Sequence, residues 1–153
     1  MRLSFGRIPA AILGLLLMIF PACSLNAAPQ EREHSRPALK AGSELTQPTQ
    51  NERFRVSLRP HQGTIELDQL HSWIIHVADE NGNPVDGAEL SLEGGMPDHD
   101  HGLPTEPQIT ENLGDGDYLL DGVRFNMPGW WQFTITVSAN GIADHAVFDF
   151  TLQ

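Results

Sequence analysis

The sequence predicts an all-β protein, an immunoglobulin-like antiparallel β-sandwich of about seven strands. Three observations predict it. From Arg53 onward apolar residues recur at every second position, in run after run. The runs are separated by short clusters of Gly, Pro, Asn and Asp that make turns. Seven such runs in about a hundred residues, with Trp73 and Trp131 as in-phase anchors, are the pattern of a sandwich.

The chain has 153 residues, enough for one domain. Residues 1–22 read as an export signal: Arg2 and Arg7 are its basic start, and Ile8 to Phe20 is its apolar run, bracketed by Pro9 and Pro21 and short for a membrane span. Two cleavages compete. Phe20-Pro21-Ala22-Cys23 is similar to a lipobox, whose cysteine is lipidated; the alternative is ordinary cleavage after Leu25-Asn26-Ala27. Cys23 is the single cysteine, so no disulfide forms within the chain. Residues 23–52, rich in Pro, Gln, Ser, Glu and Thr, are expected to be a disordered tether. The folded unit is expected to span 53–153.

Phe54, Val56 and Leu58 alternate with polar residues and make the first strand, and Ile65 with Leu67 suggests a short edge strand. Leu70 to Ala78 makes the second, with Trp73, Ile75 and Val77 on one face and His71 in phase. Asn81-Gly82-Asn83-Pro84 turns the chain into the third, where Ala88, Leu90 and Leu92 face inward. Ile109 and Leu113 mark the fourth. The fifth carries Tyr118 and Leu120, then Val123 and Phe125, with a bulge at Asp121-Gly122. Tyr118, just after Asp115-Gly116-Asp117, resembles a tyrosine corner. Trp131, Phe133, Ile135 and Val137 define the sixth; Ala146, Phe148, Phe150 and Leu152 define the seventh.

Residues 94–107 lack alternation and hold several Gly and Pro, so they predict a long loop. In it His99 and His101 are two apart and point the same way from extended backbone. Met96 lies three residues upstream. Without the leader, Met96 and Met127 are the remaining methionines, and both sit beside prolines rather than inside apolar runs. Thioether plus imidazole is a donor set that suits copper, Cu(I) especially. With seven strands alternating in direction, the loops holding His61, Met96/His99/His101 and Met127 fall at one end, as does His71. The expected metal ligands are Met96, His99, His101 and Met127, with His71 in reserve.

The net charge is −11; with Arg2 and Arg7 removed, seven basic residues face twenty acidic ones, giving −13. That disfavours nucleic acid as a partner and favours cations. No Ser/His/Asp or Cys/His set accompanies a nucleophile in a plausible turn, so the chain is not expected to be an enzyme.

The segments His71-Ser72-Trp73, Gly82-Asn83-Pro84-Val85, Gly95-Met96-Pro97-Asp98-His99-Asp100-His101-Gly102, Gly116-Asp117-Tyr118 and Phe125 to Trp131 together resemble the YtkA-like domain family, which is similar to FixH-type envelope proteins. The resemblance covers Ser57 to Val137. It implies an exported sandwich in the bacterial envelope, often lipid-anchored or attached to metal-efflux machinery. Two functions are therefore expected to compete. One is a copper-binding carrier or accessory in efflux or oxidase assembly, held in the periplasm at the outer membrane through Cys23. The other is a metal-free module that docks an envelope protein through the same loop end.

Overall fold

The computed structural model describes residues 36–153. The leader, both candidate cleavage sites and Cys23 lie outside the described residues. Among the described residues nine strands follow one another: β1 Leu45–Pro48, β2 Phe54–Pro60, β3 Leu70–Asp79, β4 Glu89–Met96, β5 His101–Gly102, β6 Gln108–Gly114, β7 Asp117–Arg124, β8 Gly129–Ala139 and β9 Ile142–Leu152. A 3-10 turn at Pro97–His99 joins β4 to β5. The strands form two antiparallel sheets, ordered β1-β2-β3-β7-β6 and β5-β4-β8-β9. This is the expected sandwich. The seven predicted strands are β2, β3, β4, β6, β7, β8 and β9; β1 and β5 are additions.

The period-two residues do face inward. Val56, Leu58, Trp73, Ile75, Val77, Trp131, Phe133, Ile135 and Val137 are all fully buried. Phe125 sits among aromatic rings, edge-on to Trp131 at 5.0 Å between centroids and stacked on Phe133 at 5.9 Å. The bulge is where the pattern placed it. Opposite β3, His71 pairs with Val123 but Trp73 pairs with Leu120, so β7 carries an extra residue at Asp121-Gly122. That extra residue shifts the phase and lets both Leu120 and Val123 point into the core. Tyr118 acts as a corner. Its buried hydroxyl donates to the Val85 carbonyl at 2.7 Å and accepts from the Ala88 N–H at 2.9 Å, tying β7 to the turn before β4.

Three expectations need correction. First, the tether does not run to residue 52. Ala38 bridges Thr151 in parallel, Leu39 is buried, and β1 pairs with β2 from Leu45↔Leu58 to Pro48↔Arg55. The segment crosses from the β9 edge to the β2 edge and covers both. Its composition hid this, because an edge strand needs few apolar residues when its backbone hydrogen bonds do the pairing. Asp144 locks the crossing: its carboxylate accepts from the Asn51 N–H and side-chain amide, both at 3.0 Å, and from the His145 N–H at 2.9 Å.

Second, Ile65 and Leu67 form no strand. Residues 61–69 are a loop, bent by Asp68 at φ 61°. Third, the long loop is shorter than predicted. β4 continues through Gly94 and Gly95 to Met96, on the same face as Leu90 and Leu92. Glycine carries no apolar signal, so the alternation is invisible in the sequence. A Cβ on Gly94 would lie 2.8 Å from the Phe133 ring, and one on Gly95 would lie 2.5 Å from the His101 carbonyl. Only glycine lets β4 run on here.

Candidate functional site

The loop β2–β3, the β4–β5 turn and the β7–β8 loop come together at one end, as the alternation of strands requires. The Asp68 N–H donates to the Phe125 carbonyl at 2.7 Å, and the Met96 methyl sits where a Cβ on Gly129 would be 2.9 Å away.

The strand ends set the geometry of the candidate ligands. Met96 and His101 are cross-strand partners of β4 and β5. Directly opposed residues put their side chains on the same face, with Cβ atoms about 5 Å apart. Thioether and imidazole are therefore neighbours. The His99 ring follows at 5.9 Å from the His101 ring, centroid to centroid. Metal–nitrogen bonds of about 2 Å leave two coordinated imidazoles at about this spacing. Beneath them, His101 meets the Trp131 ring edge-on at 6.1 Å, and the Trp131 indole N–H donates to the Met127 carbonyl at 3.2 Å. Met127 is half-buried and packs against the core.

His101 is also oriented. Its Nδ1 lies 2.9 Å from the Gly102 carbonyl oxygen, which can only accept, so Nδ1 carries the proton. In that tautomer the lone pair belongs to Nε2, the arrangement that ligating histidines use. Asp100, in the left-handed region at φ 51°, reverses the chain between the two histidines. The outward face of the same sheet carries a separate cleft of ≈ 360 Å³ with Glu93, Asp100, Gln132 and Thr134 in its lining. Glu93, Gln132 and Thr134 alternate with Gly94, Trp131 and Phe133, so they face away from the Met96 and His101 side chains.

Three candidates are placed differently from expectation. His99 closes a 3-10 turn rather than extended backbone, so the two-apart spacing does not by itself align it with His101. Met96 is not a loop residue: it ends a strand, is 1% exposed and belongs to the core. The reading that packing makes no demand on it is corrected; its thioether is core filler, with its methyl packed against Gly129. His71 stands apart. Its Nε2 is tied to the Glu66 carbonyl at 2.8 Å, and its ring touches Phe125, which in turn touches Trp131, which touches His101. Two aromatic rings thus intervene before the cluster.

Among the described residues, no three of His, Cys, Asp and Glu gather to hold an ion by themselves. A metal at this end would need a thioether. The parts that bring the donors together carry no signal in the sequence: the glycines at 94, 95 and 102, the clearance at Gly129, and the Trp131 ring. His76 binds Asp117 through Nδ1 at 2.7 Å on the outer sheet face, with Arg59 on the other carboxylate oxygen. Trp130 lies under the Arg36 guanidinium at 3.7 Å and donates to Asp149, a clasp on the strap beside β9.

Comparison with known proteins gives two findings. A family model described as YtkA-like matches residues 49–136, which include every expected metal ligand. The crystal structure of a DUF4426 family protein from Pseudomonas aeruginosa PAO1 is similar, with a TM-score of 0.52 and 16% identity over 71% of this chain and 93% of that one. At that identity the likeness is one of fold alone. No curated protein matches this chain.

Proposed function

The chain belongs to the YtkA-like family, and on that premise we propose that it is an exported, lipid-anchored copper-binding protein that carries Cu(I) or serves as an accessory in its handling. The observation that carries the reading is the Met96–His101 cross-strand pair, with His101 held by the Gly102 carbonyl in the tautomer that leaves the lone pair on Nε2. His99 supplies a second imidazole and Met127 a second thioether. Soft donors without a thiolate bias the site to Cu(I) over Zn(II). Such a set suits transfer of a cargo ion rather than chemistry on a substrate. Protons compete for the imidazoles, so binding weakens in acid.

A second reading has its own observation. Met96 is buried in the core and His71 is spent on a backbone bond, as in a purely structural loop end that docks an envelope partner.

Titration of the mature chain with Cu(I) against a chromophoric chelator separates the two. His99→Ala/His101→Ala should weaken binding at least tenfold, and Met127→Leu severalfold. Wild-type binding no tighter than that of the double histidine variant would sink the metal reading. The anchor has its own test: Cys23→Ala should move the protein from the membrane to the soluble periplasmic fraction. A wild type that is already soluble would instead favour cleavage after Ala27.

A further inference from the structure

We propose that the outer edge of β4 is a docking site for an extended peptide segment that alternates apolar and basic residues. β5 covers only the end of that edge. β5 pairs with the end of β4, and the Leu103 N–H still donates to the Gly94 carbonyl at 2.9 Å. Pro104 follows, and has no N–H to continue the ladder. The chain then leaves for the other sheet, where the Thr105 hydroxyl donates to the Gly122 carbonyl at 2.6 Å. The strand position beside Glu89–Glu93 is left without an occupant among the described residues.

Alternation settles which groups are exposed there. The Gly94 carbonyl points away from β8, so the N–H and C=O groups of Leu92 and Leu90 point the same way. These four groups have no backbone partner among the described residues. The side chains of Leu90 and Leu92 face the seam between the sheets, where they, Leu103 and Ile109 are only partly buried. A groove of ≈ 400 Å³ runs along this edge, between Leu92–Gly94 on one side and Leu103–Gln108 on the other. An added strand would satisfy the backbone groups and drop alternate side chains onto this apolar seam.

Charge selects the occupant. Glu89 and Glu93 flank the edge on the exposed face, and Glu106 lines the groove. Antiparallel pairing of two copies about Ser91 would set Glu89 against Glu93 twice, which like-charge repulsion opposes. A strand with Lys or Arg at the outward positions meets the same carboxylates favourably.

The test uses the full mature chain and three synthetic heptapeptides: alternating Lys and Val, alternating Glu and Val, and alternating Lys and Pro. The Lys–Val peptide should bind and slow amide hydrogen exchange at Leu90 and Leu92. The Glu–Val peptide should bind at least tenfold more weakly, and so should Lys–Pro, which has the charge but half the donors. Glu89→Lys/Glu93→Lys, at exposed positions, should reverse the preference between the Lys–Val and Glu–Val peptides. Equal binding of Lys–Pro would reduce the effect to charge alone and overturn edge pairing. Protection confined to other strands would overturn it too. A peptide-free chain that is already dimeric, with Leu90 and Leu92 protected, would show a second copy as the occupant and refute the proposal.

Discussion

Replacing Asp144 with alanine should cost about 3 kcal/mol of stability. The carboxylate is 4% exposed and accepts three N–H donors, two from Asn51 and one from His145. Hydrogen bonds to a charged group are worth about 1.5–3 kcal/mol each, and here they overlap, since both Asn51 donors depend on one residue's position. Water can reach the exposed side of Asn51, which lowers the sum to about 3 kcal/mol. For a domain of this size that is a fall in Tm of roughly 10 °C. Asp144→Asn keeps one acceptor oxygen and should cost about half as much. The pH dependence gives a second readout. Burial pushes the Asp144 pKa up, but the Thr49 hydroxyl, the Asn51 and His145 N–H groups and the Asn51 amide outweigh it and bring it down to about 2 from 3.8. A depressed carboxyl stabilises the fold fully above pH 3.8 and loses that contribution as pH falls through 2. The gap between wild type and Asp144→Asn should therefore be constant from pH 7 to 4 and narrow below that. Urea unfolding followed through the buried Trp73 and Trp131 measures it. A cost under about 0.5 kcal/mol for Asp144→Ala, or a gap that does not change between pH 5 and pH 2, would refute the view of Asp144 as the lock on the N-terminal crossing.

Other outcomes follow from the same structure. A chain starting at Arg53 should be less stable than one starting at Arg36 by about 4 kcal/mol, because it loses Leu39 burial, β1 and the donors to Asp144; equal urea midpoints would show the crossing to be ornamental. Tyr118→Phe leaves the Val85 carbonyl and Ala88 N–H without the shared hydroxyl and should cost about 1–2 kcal/mol, read in the same assay. Gly116→Ala should cost about 3 kcal/mol, since φ is +75° and the new Cβ would lie 2.5 Å from the Val77 backbone oxygen, which cannot step aside; a loss below about 1 kcal/mol would mean the turn relaxes freely.

The sequence by itself determined the sandwich, because burial on one sheet face writes itself as a period of two. It also located the bulge at Asp121-Gly122, where the phase of the apolar residues slips, and the corner at Tyr118. Strand alternation was enough to put the Met96, His101 and Met127 segments at one end. The tertiary structure decided what carries no periodic signal. β1 holds its place through backbone bonds and one distant carboxylate, ninety-odd positions away, so local composition reads it as tether. The continuation of β4 through Gly94 and Gly95 exists because β5 and Phe133 approach too closely for any side chain there. That continuation turns Met96 from a loop residue into a core residue opposite His101. His71 shows the reverse: in phase and at the correct end, it is taken by the Glu66 backbone and screened by Phe125. Which of several nearby donors meet is set by ring packing and backbone clearance, and those depend on residues far apart in the chain.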